Sequence, residues 1–364
     1  MFRPAIRLVL LLALGGCRSG EPALIGSAYP LPRSETTTIT LVETVLGSLP
    51  ASTPVWIEPW VPVSPNVEGH AEQADLFAAN RSVVGVVGHG GSRDALIGAA
   101  IYNLAKVPQI VPTATSRQLK SVGAWTFMMV PDDSVEGDFL AAWALDSAGA
   151  RRVAVMYVGD EYGIGIREGV RLGLQSRGVD LLDNTVIPTG ECLTAVGADV
   201  YRMTARAAIQ RATPDAIVIA ASSPTGWCMI RELHAADSSI WILAADGVEV
   251  GYRAPIGGFN SARVRGVAFW QPGVDSISID FIVKSRQVLG REPSAAEALM
   301  YDAFLLFHHA VQEVGADRRA VRAFLESLGR TRAPWRGVTG PVSFEAPRLD
   351  LLRMDAPGHL GIRR

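Results

Sequence analysis

The stretch Ser82-Val83-Val84-Gly85-Val86-Val87-Gly88-His89-Gly90-Gly91-Ser92 sets an apolar, β-branched run against a glycine-rich turn, and a helical pattern begins at Ser92. A strand, a tight turn and a helix in that order form the repeating unit of a parallel sheet covered by helices. Glycines at such a junction let the backbone approach a bound group, and the first free N–H groups of the helix point outward. Ser92 can cap the helix and can offer its hydroxyl to a carboxylate. A plain turn with a routine cap accounts for the same residues, so the stretch decides the fold before it decides a function.

The unit recurs along the chain. Residues 55–57, 82–87, 109–111, 152–158, 216–220, 240–243 and 264–270 are each rich in β-branched or aromatic residues. Amphipathic stretches lie between them: Val42, Val45, Leu46 and Leu49 share a helical face, as do Phe139, Ala142, Trp143 and Leu145, and Val170, Leu172 and Leu174 lie in another helix. Near Trp270 the rhythm changes to long helices at 294–312, entered through Pro293, and at 318–328. Strand character then returns at 337–344, where glycines and a proline suit a tight crossing or turn. No repeat or charge block interrupts the pattern.

At 364 residues, with 48% hydrophobic and 19% charged residues, the chain can bury a large core, and two lobes are expected rather than one. Lys+Arg 34 against Asp+Glu 36 leaves a net charge of -2, which argues against a nucleic-acid groove.

Arg3 and Arg7 precede an apolar run at 8–14 and then Gly15-Gly16-Cys17, the charged, apolar and small-residue regions of a secretory signal. The run is shorter than the about 20 apolar residues that span a bilayer. Residues 1–16 therefore read as a signal peptide, and the remainder as an exported, soluble chain. Leu14-Gly15-Gly16-Cys17 resembles the lipobox of bacterial lipoproteins, which implies acylation of Cys17 and a membrane tether. In an oxidising compartment Cys192 and Cys228 can pair, closing a loop worth about 3 to 4 kcal/mol in the chain-entropy model, although two buried free thiols fit the sequence as well.

A second polar cluster, Pro112-Thr113-Ala114-Thr115-Ser116, follows the strand after the glycine turn. Ligands of open parallel sheets bind beyond the carboxyl ends of strands, so Gly90, Gly91, Ser92, Thr113, Ala114 and Thr115 are expected to converge. Tyr162, in Asp160-Glu161-Tyr162-Gly163, can stack on a ligand, and Asp246, in Ala245-Asp246-Gly247-Val248, can take an ammonium group. A capping aspartate and an exposed tyrosine are the plainer readings. Asp132 and Asp133 read as a solvated loop.

Enzyme motifs fail on spacing. The run Gly163-Ile164-Gly165-Ile166-Arg167-Glu168-Gly169 is one residue too long for a dinucleotide fingerprint, and no phosphate loop occurs. His89-Gly90-Gly91 matches part of an esterase oxyanion loop, but no nucleophile elbow accompanies it. His308 and His309 diverge by about 100 degrees on a helix, so no metal site is expected. No cofactor is expected either.

The ordered set of Gly88 to Ser92, Val111 to Thr115, Tyr162-Gly163, Asp246-Gly247-Val248, Tyr301-Asp302-Ala303 and 337–344 resembles the type I periplasmic solute-binding proteins, specifically the branched-chain amino-acid-binding family of ABC transporter receptors. The resemblance runs over most of the mature chain. It implies an α/β protein of two doubly wound parallel-sheet lobes joined by a three-crossing hinge, residues 22–131 plus 273–332 and residues 132–272 plus 333–364, closing over a small ligand. It further implies that Ser92, Thr113 and Thr115 bind the ligand's carboxylate, that Tyr162 faces them from the other lobe and that Asp246 takes the ammonium. Two departures stand out: residues 25–33 look like a brief, proline-rich loop where the family carries a longer one, and Ser222 stands where the family has an aromatic. Both remove apolar wall, which disfavours leucine, isoleucine or valine and favours a more polar or larger amino acid or another carboxylate. The implied role is a non-enzymatic, lipid-anchored extracytoplasmic receptor that delivers a small molecule to an ABC permease. A ligand sensor signalling to a membrane partner is the alternative, and an exported enzyme a more distant one.

Overall fold

In the computed structural model, which describes residues 22–30, 38–60, 67–249, 262–346 and 348–355, strand β3 (Val83–Val87) lies inside a five-stranded parallel sheet. Its neighbours are β1 (Ala23–Pro30) and β4 (Gln109–Val111), with β2 (Val55–Trp60) and β5 (Thr126–Met128) at the edges. Helices α1 (Thr38–Ser48), α2 (Val67–Ala79) and α3 (Ser92–Ala105) connect these strands. The leader, Cys17 and residues 31–33 lie outside the described residues.

The chain then passes through α4 (Asp133–Asp146) to a six-stranded sheet of order β13-β10-β9-β8-β6-β7. In chain order its parts are β6 (Val153–Tyr157), α5 (Glu161–Gln175), β7 (Asp183–Val186), α6 (Ala195–Ala212), β8 (Ala216–Ala220), α7 (Thr225–Ala236), β9 (Trp241–Ala244) and β10 (Val264–Ala268). It returns to the first lobe for α8 (Ser276–Leu289), α9 (Ala295–Val314) and α10 (Arg318–Ser327), which pack with α1, β1 and β3. It goes back through the hairpin β11 (Trp335–Gly337) and β12 (Gly340–Val342) to β13 (Arg353–Asp355), which pairs antiparallel with β10. Two lobes and three crossings are thus observed.

Period-two alternation explains why helices cover both faces of each sheet. In the second lobe Val153, Val155 and Val218 face a cluster with Leu140 of α4 and Ile166 of α5, while Ala154, Met156, Ile217 and Ile219 face Tyr201 of α6 and Met229 of α7. Cys192 and Cys228 belong to that second cluster and form a disulfide, with Cα atoms 6.1 Å apart. The bond ties the segment before α6 to α7.

The expectation of a loop at 25–33 is corrected for its first part, since Ala23–Pro30 is a buried strand held between β2 and β3. Gly26 and the prolines hide it in the sequence; Gly26 is there because a Cβ would stand 2.9 Å from the Phe77 ring of α2. Short β5, polar β7 and late β13 likewise gave no signal, nor did α2 and α8. Leu49 falls just beyond α1 and is exposed, as is Leu172 on the outer side of α5.

Helices α4 and α5 meet backbone to backbone: a Cβ on Gly137 would stand 2.4 Å from the carbonyl carbon of Gly169, and one on Gly169 would stand 2.2 Å from the Asp133 carbonyl oxygen. Gly137→Val is therefore expected to lower stability by about 3 kcal/mol through overpacking. Urea unfolding checks this; an unchanged midpoint would mean that the helices do not meet so closely.

Candidate ligand-binding cleft

Strands β3 and β4 are neighbours, so the turns after them lie side by side, and β6, β8 and β9 are likewise adjacent in the other sheet. The two sets of carboxyl ends face one cavity of about 760 Å³. Gly90, Gly91, Ser92, Thr113, Ala114 and Thr115 line it from the first lobe, and Tyr162, Ser222 and Asp246 from the second. The structure brings all nine sequence-nominated residues to one hollow.

On the first wall the polar atoms of the two turns are neutral, and Arg93 and Asp94 of α3 add a charge of each sign beside them. Ser92 is the first helical residue and Gly91 the N-cap, with no side-chain capping bond, so the expected capping by Ser92 is not observed. The Ser92 hydroxyl is buried and has no partner, and the same holds for Thr115 Oγ1. Thr113 donates to the Gly90 carbonyl at 3.1 Å, tying the two turns together. His89 points away from the cavity: it is fully buried, 2.9 Å from His70 Nδ1 through its own Nδ1 and 3.3 Å from the Tyr102 hydroxyl. Burial lowers its pKa to about 3, so it serves as a neutral pin beneath the turn and not as part of an oxyanion loop.

On the second wall the polar atoms are acidic. Asp160 caps α5 by accepting from Gly163 N. The Tyr162 hydroxyl donates to Asp246 Oδ1 at 2.7 Å and accepts from Gly247 N at 2.9 Å, which fixes the ring on the cavity wall. A Cβ on Gly247 would stand 3.0 Å from both the Tyr162 and the Ser222 hydroxyls, so this tip has no room for a side chain. Asp246 N donates to Glu136 Oε1 at 2.8 Å. Burial raises the pKa of Asp246 and pushes Glu136 well above the carboxylate range.

Asp132 and Asp133 are corrected from a solvated loop to buried residues. Asp132 caps α4 through Ser134 N and Val135 N and pairs with Lys120. Asp133 is 2% exposed, and burial pushes its carboxyl up to about 7. Their polarity misleads because Asp133 lies against Gly165 and Gly169 of α5 and Asp132 is taken up by the α4 N-terminus and Lys120, and the α4–α5 contact is invisible in local sequence.

Sequence reasoning also missed Glu249, Trp270, Ala295, Ala296 and Leu299, which close the hinge end of the cavity. Glu249 reaches across to the first turn of α9 and accepts from Ala296 N at 3.1 Å; burial pushes it up to about 7. Across the mouth, Ser116 and Gln118 of the first lobe donate to Glu161 Oε1 at 3.2 and 2.6 Å. Among the described residues no cluster of His, Cys, Asp and Glu could hold a metal ion.

Comparison with known proteins agrees with this architecture. A search of curated proteins returns no match. Among solved structures, an ABC transporter substrate-binding protein of Desulfitobacterium hafniense in complex with Leu has a TM-score of 0.72 at 22% identity, covering 89% of this chain and 93% of that one. A branched-chain amino acid transporter substrate-binding protein of Streptococcus pneumoniae in complex with isoleucine has a TM-score of 0.72 at 17% identity, covering 90% and 92%. A solute-binding protein of Rhodopseudomonas palustris in complex with 3,4-dihydroxybenzoic acid has a TM-score of 0.72 at 16% identity, covering 88% of each chain. These similarities establish the fold. The family model described as periplasmic binding protein matches residues 65–349. With most of its length inside that match, the chain belongs to the periplasmic binding protein family.

Proposed function

We propose that the protein is an extracytoplasmic solute-binding lipoprotein that captures an amino acid or a similar small carboxylate and presents it to an ABC permease. One observation carries this reading: two partnerless hydroxyls, Ser92 and Thr115, line a cavity whose opposite wall holds Asp246 and Tyr162. Hydroxyls and helix N–H groups suit a carboxylate, and a carboxylate paired to a tyrosine suits an ammonium. The two ends of an α-amino acid match the two walls.

The lobes, residues 22–131 plus 273–332 and residues 132–272 plus 333–364, close around the solute because it completes bonds to both. A ligand that touches both walls favours the closed arrangement over the open one by its differential contacts. Micromolar binding needs about -8 kcal/mol, which one carboxylate clamp, one ammonium pair and some apolar burial can supply. No bond is made or broken. The proposed partners are thus a small solute, a permease and, through Cys17, a membrane.

Bulk is set by the hinge end. Trp270, Leu299 and Val267 supply apolar surface there, and Ser222 opens the second wall. Since residues 25–30 are strand, the case against leucine or isoleucine now rests on Ser222 alone. The cavity volume admits an aromatic or long polar side chain.

A thermal-shift screen of the purified protein against L-amino acids and small organic acids is expected to return a stabilising hit, because a ligand that binds the native state raises its apparent stability. Asp246→Ala is expected to weaken an amino-acid hit by about 10-fold or more, and to weaken a hit without an amine less. A screen in which neither class stabilises the protein would sink the reading. Separately, Cys17→Ser in the expressing bacterium is expected to move the protein from the membrane fraction to the soluble fraction. Unchanged fractionation would remove the lipid anchor.

A further inference from the structure

Three carboxyl groups meet behind the second wall, and among the described residues none of them forms an ion pair. Asp133 and Glu136 stand three residues apart on the first turn of α4, hence on one face. Asp246 arrives from the end of β9, 110 positions along the chain. Glu136 has no exposed surface; its Oε1 accepts from Asp246 N, and its Oε2 has no partner. Asp133 Oδ1 is also without a partner. Glu136 is thus wholly buried against the Asp246 turn with one carboxyl oxygen unmet and, among the described residues, no counter-ion beside it. Two charged carboxylates in that setting are costly, so one of the acids keeps its proton.

The surrounding charges do not relieve this cluster. From the 117–120 turn between β4 and β5, Lys120 is engaged by Asp132. From α5 come Glu161, Tyr162 and Arg167, whose guanidinium lies over the Tyr157 ring. From the 246–249 turn, Glu249 adds a further acid. Burial first, and then the neighbouring acids, raise the pKa of Glu136 and push Asp133 to about 7. Asp246 is the member that opens to the cavity.

We propose that Glu136 and Asp246 hold one proton between them until a cationic nitrogen of the ligand docks on Asp246 and displaces it, so that solute capture is proton-coupled and selects amines over acids lacking one. The proposal rests on the ligand-binding reading above and deepens it. In the exchange the ammonium keeps its protons and meets the Asp246 carboxylate, while the Glu136 proton leaves to solvent. One positive charge enters as one leaves, and no covalent bond other than O–H breaks. Because the liganded form binds fewer protons than the free form, affinity for an amine rises with pH across the range in which the pair gives up its proton. Glu136 is a positioning residue, acting on the ligand through Asp246.

Isothermal titration calorimetry of the purified protein tests this, run near neutral pH in phosphate and in Tris, whose ionisation enthalpies differ. The probes are L-phenylalanine, L-leucine and L-glutamate, each against its deaminated acid: 3-phenylpropanoate, 4-methylpentanoate and glutarate. The expected result is that an amino acid binds at least about 10-fold more tightly than its paired acid, with heats in the two buffers that report net proton release. Glu136→Gln keeps a donor toward Asp246 and an acceptor for its N–H, so it is expected to retain binding while losing most of the proton release. Buffer-independent heats for the natural protein, equal affinities within a pair, or undiminished release in Glu136→Gln would each overturn the proposal. The first two readouts need no variant. If the thermal-shift screen returns neither an amino acid nor an organic acid, the ligand reading falls first and this one with it.

Discussion

Strands of a parallel sheet all end on the same side, and whatever polar groups follow them must find partners there. In this protein two such sheets end against one another. The turns after β3 and β4 meet those after β6, β8 and β9, so N–H groups, hydroxyls and carboxylates that would otherwise face bulk water line one hollow. A buried polar atom without a partner costs about 1 to 3 kcal/mol. The Ser92 and Thr115 hydroxyls carry that cost on one wall, and the Glu136 and Asp133 carboxyls carry it behind the other. The strain of unmet hydrogen bonds is thereby concentrated where a polar solute can relieve it.

The two walls divide the chemistry because their elements differ. The first is made of glycine and small hydroxyl residues at strand-to-helix turns, rich in donors, with Arg93 and Asp94 adding one charge of each sign. The second is made acidic by the α4–α5 contact, which drives Asp133 and Glu136 inward against Asp246. Charge of one sign, buried without counter-ions, is unfavourable by itself. A retained proton or a bound cation offsets it, which is the physical basis of the proposed preference for an amine.

The hinge has its own buried polar anchor. Asp302, on α9, accepts from Val338 N at 2.7 Å, from Thr339 N at 2.8 Å and from the Thr339 hydroxyl at 2.5 Å, fixing the β11–β12 turn to the long helix. Trp270 Nε1 donates to the Val338 carbonyl at 3.1 Å, which joins the second crossing to the third. Glu249 bonds to the first turn of α9 from the opposite lobe. Burial pushes Asp302 up to about 6, yet the three donors and nearby Arg348 pull the other way. These bonds tie the crossings to one another at the hinge.

Short-range pattern was enough for much of this. Period-two apolar runs located the principal strands, glycine and hydroxyl residues at their ends located the cavity wall, and Asp246 and Tyr162 stood out by their place after β9 and β6. Those signals depend on neighbours within a few positions, which is the range over which sequence is explicit. The first strand was lost because Gly26 and proline obscure its alternation, and its place between β2 and β3 depends on contacts made by distant segments. Only the tertiary structure decided that Asp133 and Glu136 are buried, that Tyr162 is committed to Asp246, and that Glu249 crosses to α9. Each of these follows from two elements far apart in the chain being pressed together, and the energy of burying a charge exists only once they are.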